Sequence, residues 1–209
     1  MVRVIVTAVP GAGKSTILKK VAEKFPDLKV INFGDVMLEE ASRQLGITDR
    51  DELRKKISFK DYRRLQEEAA KIISGIDGDL IIDTHAAVKT VYGYYPGLPS
   101  KVVEELNPDA IVFLEFRPED ILARRMKDLS KDESNGRRLR EIEKIEDVEE
   151  HQKISLEMVS AAANHASCYL LILRFLESQK YPYQHAEEAS LKIIELIEKL
   201  KKAGESLKD

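Results

Sequence analysis

The run Val2–Thr7, "VRVIVT", is short, apolar and β-branched, and it breaks at once into "AVPGAGKST". Such side chains suit a buried, pleated strand. From Lys14 onward Ile17, Leu18, Val21, Ala22 and Phe25 recur at helical spacing. A strand, a glycine-containing loop and Lys-Ser at a helix start form the context of a phosphate-binding loop. Gly11 and Gly13 let backbone N–H groups turn inward, and the new helix adds the positive end of its dipole. Lys14 supplies a point charge for β- and γ-phosphates, and Ser15 offers a hydroxyl oxygen to Mg²⁺. The pattern G-x-x-x-x-G-K-[ST] has glycine where this chain has Ala8. Alanine fits there if its φ is negative, as in an extended residue.

Four more short apolar runs, at 28–33, 79–85, 110–116 and 168–175, alternate with helical patterns. Strands separated by helices need crossover connections, so the expected fold is α/β, a parallel sheet with helices on both faces. Helices are expected from Gly34 to Leu45 with Gly46 as the stop, and from Thr48 or Asp49. Others should follow Ser58 as an N-cap, with Gly75 past the end, and Ser100 as a cap. Pro118 sits at a first-turn position, and further helices are expected over 140–165 and 186–204. "VYGYYPGLPS" (91–100) and "LSKDESNG" (129–136) read as loops.

The length of 209 residues suits one well-cored domain with small inserted lobes. With 43% hydrophobic and 34% charged residues the chain has the composition of a soluble globular protein. No run of eighteen apolar residues occurs, and the first run reads as a strand rather than a signal peptide. One cysteine, Cys168, makes no internal disulfide, which fits a reducing cytosol; it is expected as a small buried side chain. A net charge of −3 argues against a protein built to hold bulk nucleic acid.

Several residues admit two readings. Asp83, closing the third strand, is placed to orient Mg²⁺ through water, or to cap the next turn. Arg54 and Lys89 are suited to the phosphate of a second nucleotide, or are solvated surface charges. Arg124, Arg125, Arg137, Arg138 and Arg140 flank the 129–136 loop. They either close over phosphates or pair along a helix face, Arg137 with Glu141 and Arg140 with Glu143. His85 is a general base or a loop anchor. Tyr92, Tyr94 and Tyr95 wall a base pocket or pack their own loop.

Taken together, "VPGAGKST", "INFGDVM", "DRDELRK", "LQEEAAK" and "DTHAAVKT" with "GYYPGLPS" resemble the archaeal-type adenylate kinases from Val2 to about Ala166. The pairing of "DTHA" with "GYYPGLP" is the most specific part. The resemblance implies a P-loop NTPase with strand order 2-3-1-4-5, catalysing Mg·ATP + AMP ⇌ 2 ADP. It implies a single domain over 1–209, with an AMP-binding insertion at about 34–74 and a lid at about 124–141. By position, Ala8, Val9, Pro10, Gly11, Ala12, Gly13, Lys14, Ser15 and Thr16 would hold ATP. Phe33, Gly34, Arg54 and Lys89 would fall in the AMP region, Lys89 where an arginine is common. Arg124 and the pattern Arg138-Leu139-Arg140-Glu141 would clamp the moving phosphoryl group with Lys14. Ser15 and Asp83 would serve Mg²⁺. The family also implies a cytoplasmic homotrimer whose partners are ATP, AMP and ADP, with no membrane or nucleic acid. Two rivals share these features: a kinase of another nucleoside monophosphate, and a nucleotide sensor without catalysis.

Overall fold

A computed structural model describes residues 1–49, 52–53, 57–132 and 143–205, the side chains of 128–132 excepted. Five parallel strands form the central sheet: β1 (Arg3–Thr7), β2 (Lys29–Asn32), β3 (Leu80–Thr84), β6 (Ala110–Phe116) and β7 (Tyr169–Phe175). Their spatial order is β2-β3-β1-β6-β7, which is the 2-3-1-4-5 order once the parallel strands alone are counted. A two-stranded antiparallel ribbon, β4 (Ala87–Thr90) and β5 (Gly93–Pro96), stands apart from it.

The helices placed in full among the described residues are α1 (Lys14–Lys24), α2 (Phe33–Leu45), α3 (Phe59–Ser74), α4 (Ser100–Leu106), α5 (Pro118–Asp132), α6 (Ile145–Ala166) and α7 (Gln184–Glu205). They cover both faces of the sheet, and the period-2 alternation of the strands sends side chains into two separate cores. Ile5, Leu80, Ile82, Ile111 and Phe113 meet α2, α3, α4 and α6 on one face. Val4, Val6, Ile81, Val112 and Leu114 meet α1 and α7 on the other. All ten are fully buried.

The ribbon corrects the expected loop at 91–100. Two residues, Val91 and Tyr92, turn the chain, and Gly93 takes a positive φ of 104° at the start of β5. The Gly-, Pro- and Tyr-rich text concealed a hairpin because its strands are only four residues long. Its tyrosines pack it down. Tyr94 lies 5.1 Å from the His151 ring of α6 and donates to Glu150, and Tyr95 meets Tyr62 of α3 edge-on. Burial, with Glu150 beside it, pushes the Tyr94 hydroxyl up to about 12.

Four helix boundaries also differ. Phe33 opens α2 instead of ending β2, because Asn32 caps the helix by accepting from the Asp35 N–H. Pro99, not Ser100, precedes α4, with no side-chain cap. Helix α5 continues through Asp132, into the stretch expected as a loop; Leu-Ser-Lys-Asp contains no helix breaker. Helix α6 begins at Ile145, and Asp147 accepts from the Lys144 N–H to secure that end. Residues 140–142, expected in this helix, lie outside the described residues. No helix among the described residues is long and apolar enough to cross a membrane.

His151 ties α6 to the ribbon through a 3.0 Å bond from Nε2 to the Ala87 carbonyl. Burial holds its pKa below the ordinary 6.5. Above 6.5 the imidazole is neutral in both states and adds no pH dependence. Below 6.5 the unfolded chain takes a proton that the folded chain refuses, so stability declines until the lowered folded value is passed. The fall in Tm between about pH 7.5 and about pH 5.5 should therefore be smaller in His151→Gln than in wild type, read by circular dichroism. Equal falls would show that His151 carries none of the slope. His185, also lowered by burial, leaves a residual slope of the same sign in the variant.

Candidate active site

All five parallel strands run the same way, so β1, β2, β3 and β6 present their carboxyl ends to one edge. Ligand sites of open α/β sheets lie at this edge, where the strand order reverses. Here the reversal is at β1, and the loop Ala8–Gly13 leaves β1 at that point.

Gly11 and Gly13 adopt φ values of +81° and +84°, which side chains disfavour. Ala8 is not among the residues with positive φ, and its methyl group is buried in the α1–α7 core. The glycine requirement thus falls on Gly11 and Gly13, and alanine at the first position contributes packing. A Cβ on Gly11 would also stand 2.7 Å from Cγ of Arg125. Gly13 starts α1 with no side-chain cap, and the first turn has no acidic residue, unlike α2, α3, α5, α6 and α7. The Thr16 N–H bonds to the Gly13 carbonyl at 3.2 Å, while the N–H groups that open a helix have no intrahelical acceptor and suit an external anion.

Val9–Thr16 line a cleft of 480 Å³ together with Asn32, Asp83, His85, Arg124 and Lys127. At its centre Lys14 Nζ sits 2.5 Å from Asp83 Oδ1 and donates to the Thr84 carbonyl. Burial pulls the lysine pKa below its ordinary value, while the adjacent carboxylate pulls it the other way. Asp83 Oδ2 accepts from the Asn32 amide at 3.0 Å, since Asn32 and Asp83 are register partners in β2 and β3. His85 Nδ1 donates to the Ala8 carbonyl at 2.6 Å, so this imidazole anchors the phosphate loop to the end of β3.

Arg124 reaches over from α5. Its Nη1 donates to the Ala12 carbonyl at 3.0 Å, and its guanidinium lies 5.3 Å from the Phe116 ring centroid. Phe116 is itself stacked on Phe175, with centroids 5.2 Å apart. Burial lowers the pKa of this arginine, with Asp120 opposing. Arg125 donates from Nε to the Pro10 carbonyl and pairs with Glu143.

A second, smaller cleft adjoins the first. Phe33, Gly34, Met37, Leu53, Tyr62, Gln66, Thr84, Val88 and Gly97 line it, and Lys14, Asn32, Asp83 and His85 line both clefts. Phe33 and Gly34 of the expected AMP region are thus brought beside the Lys14–Asp83 pair. Lys89 lines neither cleft; its ammonium is 3.2 Å from Asp147 and 3.9 Å from Glu143. Arg54, Arg137, Arg138 and Arg140 lie outside the described residues. Tyr92, Tyr94 and Tyr95 line neither cleft. Cys168 is half-buried against the first core, and burial raises its pKa.

Sequence reading missed Asn32, Lys127 and Gln66. Lys127 follows Arg124 by three residues and Gln66 follows Tyr62 by four, so each shares a helix face with a neighbour at the clefts. Asn32 was found only through its register with Asp83. Among the described residues no cluster of three or more His, Cys, Asp or Glu side chains is placed to hold an ion.

A five-stranded parallel sheet, a glycine-shaped loop opening a helix, and a buried lysine at its mouth define a nucleotide-binding P-loop kinase fold. A family model described as an AAA domain matches residues 7–146. Among solved structures the chain is similar to shikimate kinase from Acinetobacter baumannii, with a TM-score of 0.56 at 17% identity over 96% of this chain and 95% of that one. Shikimate kinase from Bacteroides thetaiotaomicron has a TM-score of 0.55, also at 17% identity, over 94% of this chain and 98% of that one. At that identity the likeness is one of fold. Sequence relatives narrow it. The adenylate kinase of Pyrobaculum aerophilum is 45% identical over 196 residues, 93% of this chain and 96% of that protein. The adenylate kinase of Pyrococcus furiosus is 37% identical over 201 residues, 93% and 94% of the two chains. The chain belongs to the adenylate kinase family.

Proposed function

We propose that this protein transfers the terminal phosphoryl group of ATP to AMP, giving two ADP, in a reversible reaction that serves nucleotide homeostasis. The observation that carries this reading is the meeting of two clefts at one cation, Lys14, with one carboxylate, Asp83, beside it. A donor triphosphate in the larger cleft has its phosphates on the N–H groups of Gly11–Thr16. An acceptor in the smaller cleft, beside Phe33 and Gly34, brings its phosphate oxygen to the same lysine. That oxygen attacks the γ-phosphorus in line, the bond to the bridging oxygen breaks, and ADP leaves with the electron pair. Holding the two reactants in one cleft makes the step unimolecular and keeps water from competing. Lys14 leaves Asp83 to follow the transferring oxygens, and Arg124 follows from the rim. Arg138 and Arg140 complete the clamp within a lid at about 124–141. Arg54 and Lys89 belong to the acceptor part at about 34–74 and just after it.

Mg²⁺ is part of the same reading. The Ser15 hydroxyl and the Asp83 carboxylate are hard oxygen donors beside the phosphate loop, and an ion completed by substrate phosphates and water needs no larger protein cage. When bound it would neutralise the negative charge that develops on the phosphates during transfer. Lys14 holds the Asp83 carboxylate in place at the mouth of the loop. A cytoplasmic site fits the lone Cys168, and assembly as a homotrimer follows the family resemblance; light scattering checks it. No membrane or nucleic-acid partner enters this reading.

A coupled assay with ATP, Mg²⁺ and each of AMP, CMP, UMP and GMP tests the proposal. AMP should be turned over and should exceed the other three in kcat/KM. Absence of turnover with AMP removes the assignment, and a different preferred monophosphate moves it to that acceptor.

A further inference from the structure

Gln66, which lines the smaller cleft, carries a buried polar atom with no hydrogen-bond partner among the described residues. Gln66 lies on α3 and is 2% exposed. Its Nε2 donates to the Pro96 carbonyl at 3.2 Å. A carbonyl oxygen only accepts, so this bond fixes which end of the amide is nitrogen and turns Oε1 away from Pro96. Oε1 has no hydrogen-bond partner among the described residues. A buried amide oxygen left unpaired is costly, and such groups are retained where a ligand completes them.

The surroundings suit a flat ring. Phe33, Met37, Leu53, Tyr62 and Val88 give the cleft apolar walls. Tyr62 is held edge-on by Tyr95 at 5.1 Å, so that wall is braced from behind. A nucleotide whose phosphate reaches Lys14 has its base among these side chains, within reach of Gln66.

We infer that Gln66 is a specificity residue that reads the amino group of the acceptor base through Oε1. The 6-amino group of adenine donates to this oxygen. The 6-oxo group of hypoxanthine or guanine sets a second acceptor against it. Nε2 is already committed to Pro96, so the amide does not flip to suit an oxo base. The inference rests on the reading that the smaller cleft takes the acceptor monophosphate.

The test is a cycle between one atom of substrate and one side chain, on the full chain at saturating Mg·ATP. Acceptors are AMP, inosine monophosphate and purine riboside monophosphate, which lacks the 6-amino group. In wild type, AMP should exceed both others in kcat/KM by about tenfold to a hundredfold. In Gln66→Leu, AMP should fall to the level of purine riboside monophosphate, with the KM for ATP unchanged. Equal losses for all three acceptors in the variant would show a structural role only and overturn the inference. So would a wild-type enzyme that does not distinguish AMP from purine riboside monophosphate, a comparison that holds even if Gln66→Leu fails to fold. Wild-type turnover of AMP without such discrimination sinks this inference alone. No turnover of any monophosphate sinks the proposed function with it.

Discussion

Lys14→Met should lower kcat/KM for phosphoryl transfer by roughly 10²–10³-fold, about 2.7–4 kcal/mol of transition-state stabilisation. Methionine matches the length of the lysine stem and fills the same buried space between α1 and β3, so the loss reports the charge. The site is shielded from solvent, with Lys14 only 8% exposed. A cation there acts on developing phosphoryl charge with little screening. Stability should fall as well, by about 1–3 kcal/mol, because Asp83 and the Thr84 carbonyl lose a common donor. Asp83 keeps the Asn32 amide, which limits the damage. Steady-state assays run well below the melting transition separate the two effects. A variant with kcat/KM within about threefold of wild type would remove Lys14 from the reacting centre.

Gly97→Ala should be the most disruptive glycine substitution at the site. A Cβ there would stand 1.7 Å from the His85 carbonyl oxygen and 2.9 Å from its carbon. Both are backbone atoms, so no side chain can swing away. Gly97 is also bound through its N–H to the Ala86 carbonyl at 2.8 Å, which holds the end of the ribbon against the end of β3. Forcing them apart drags His85, and His85 is the side chain that holds the Ala8 carbonyl. Overpacking of this kind should cost about 3 kcal/mol, the upper part of the usual range. For a chain of this size that is a fall in Tm of roughly 6–12 °C. Gly75→Ala is the control. There a Cβ meets only the Lys71 and Ile72 carbonyls at 3.6 Å and φ is −78°, so alanine should be neutral or stabilising by up to about 1 kcal/mol. Equal melting of the two variants would contradict the close approach at Gly97.

The same two residues mark how far the chain could be read before its structure was known. Lys14 was legible because the phosphate loop is local: its strand, glycines and helix start lie within a few residues, and each has a conformational requirement that residue type reveals. Gly97 was not, because its importance comes from His85, twelve positions away in sequence and brought against it by the fold of the ribbon. The ribbon itself was hidden by its short strands. Nothing in the sequence singles out Gln66, and only the Pro96 carbonyl at its amide gives its oxygen a direction. Lys89 shows the opposite case. Its place after β3 admits a phosphate or a surface charge, and the structure pairs its ammonium with Asp147 and Glu143, on the start of α6 and the segment before it.

By itself the sequence determined the α/β class, the five strands of the central sheet and most helices, and the identity of the phosphate loop, since periodicity, turn chemistry and propensity act over a few residues. Tertiary structure alone decided that two clefts share one lysine and which long-range neighbours hold it. Those contacts depend on strand register and helix docking, in which residues distant in the chain become neighbours through burial of apolar surface that many sequences satisfy equally well.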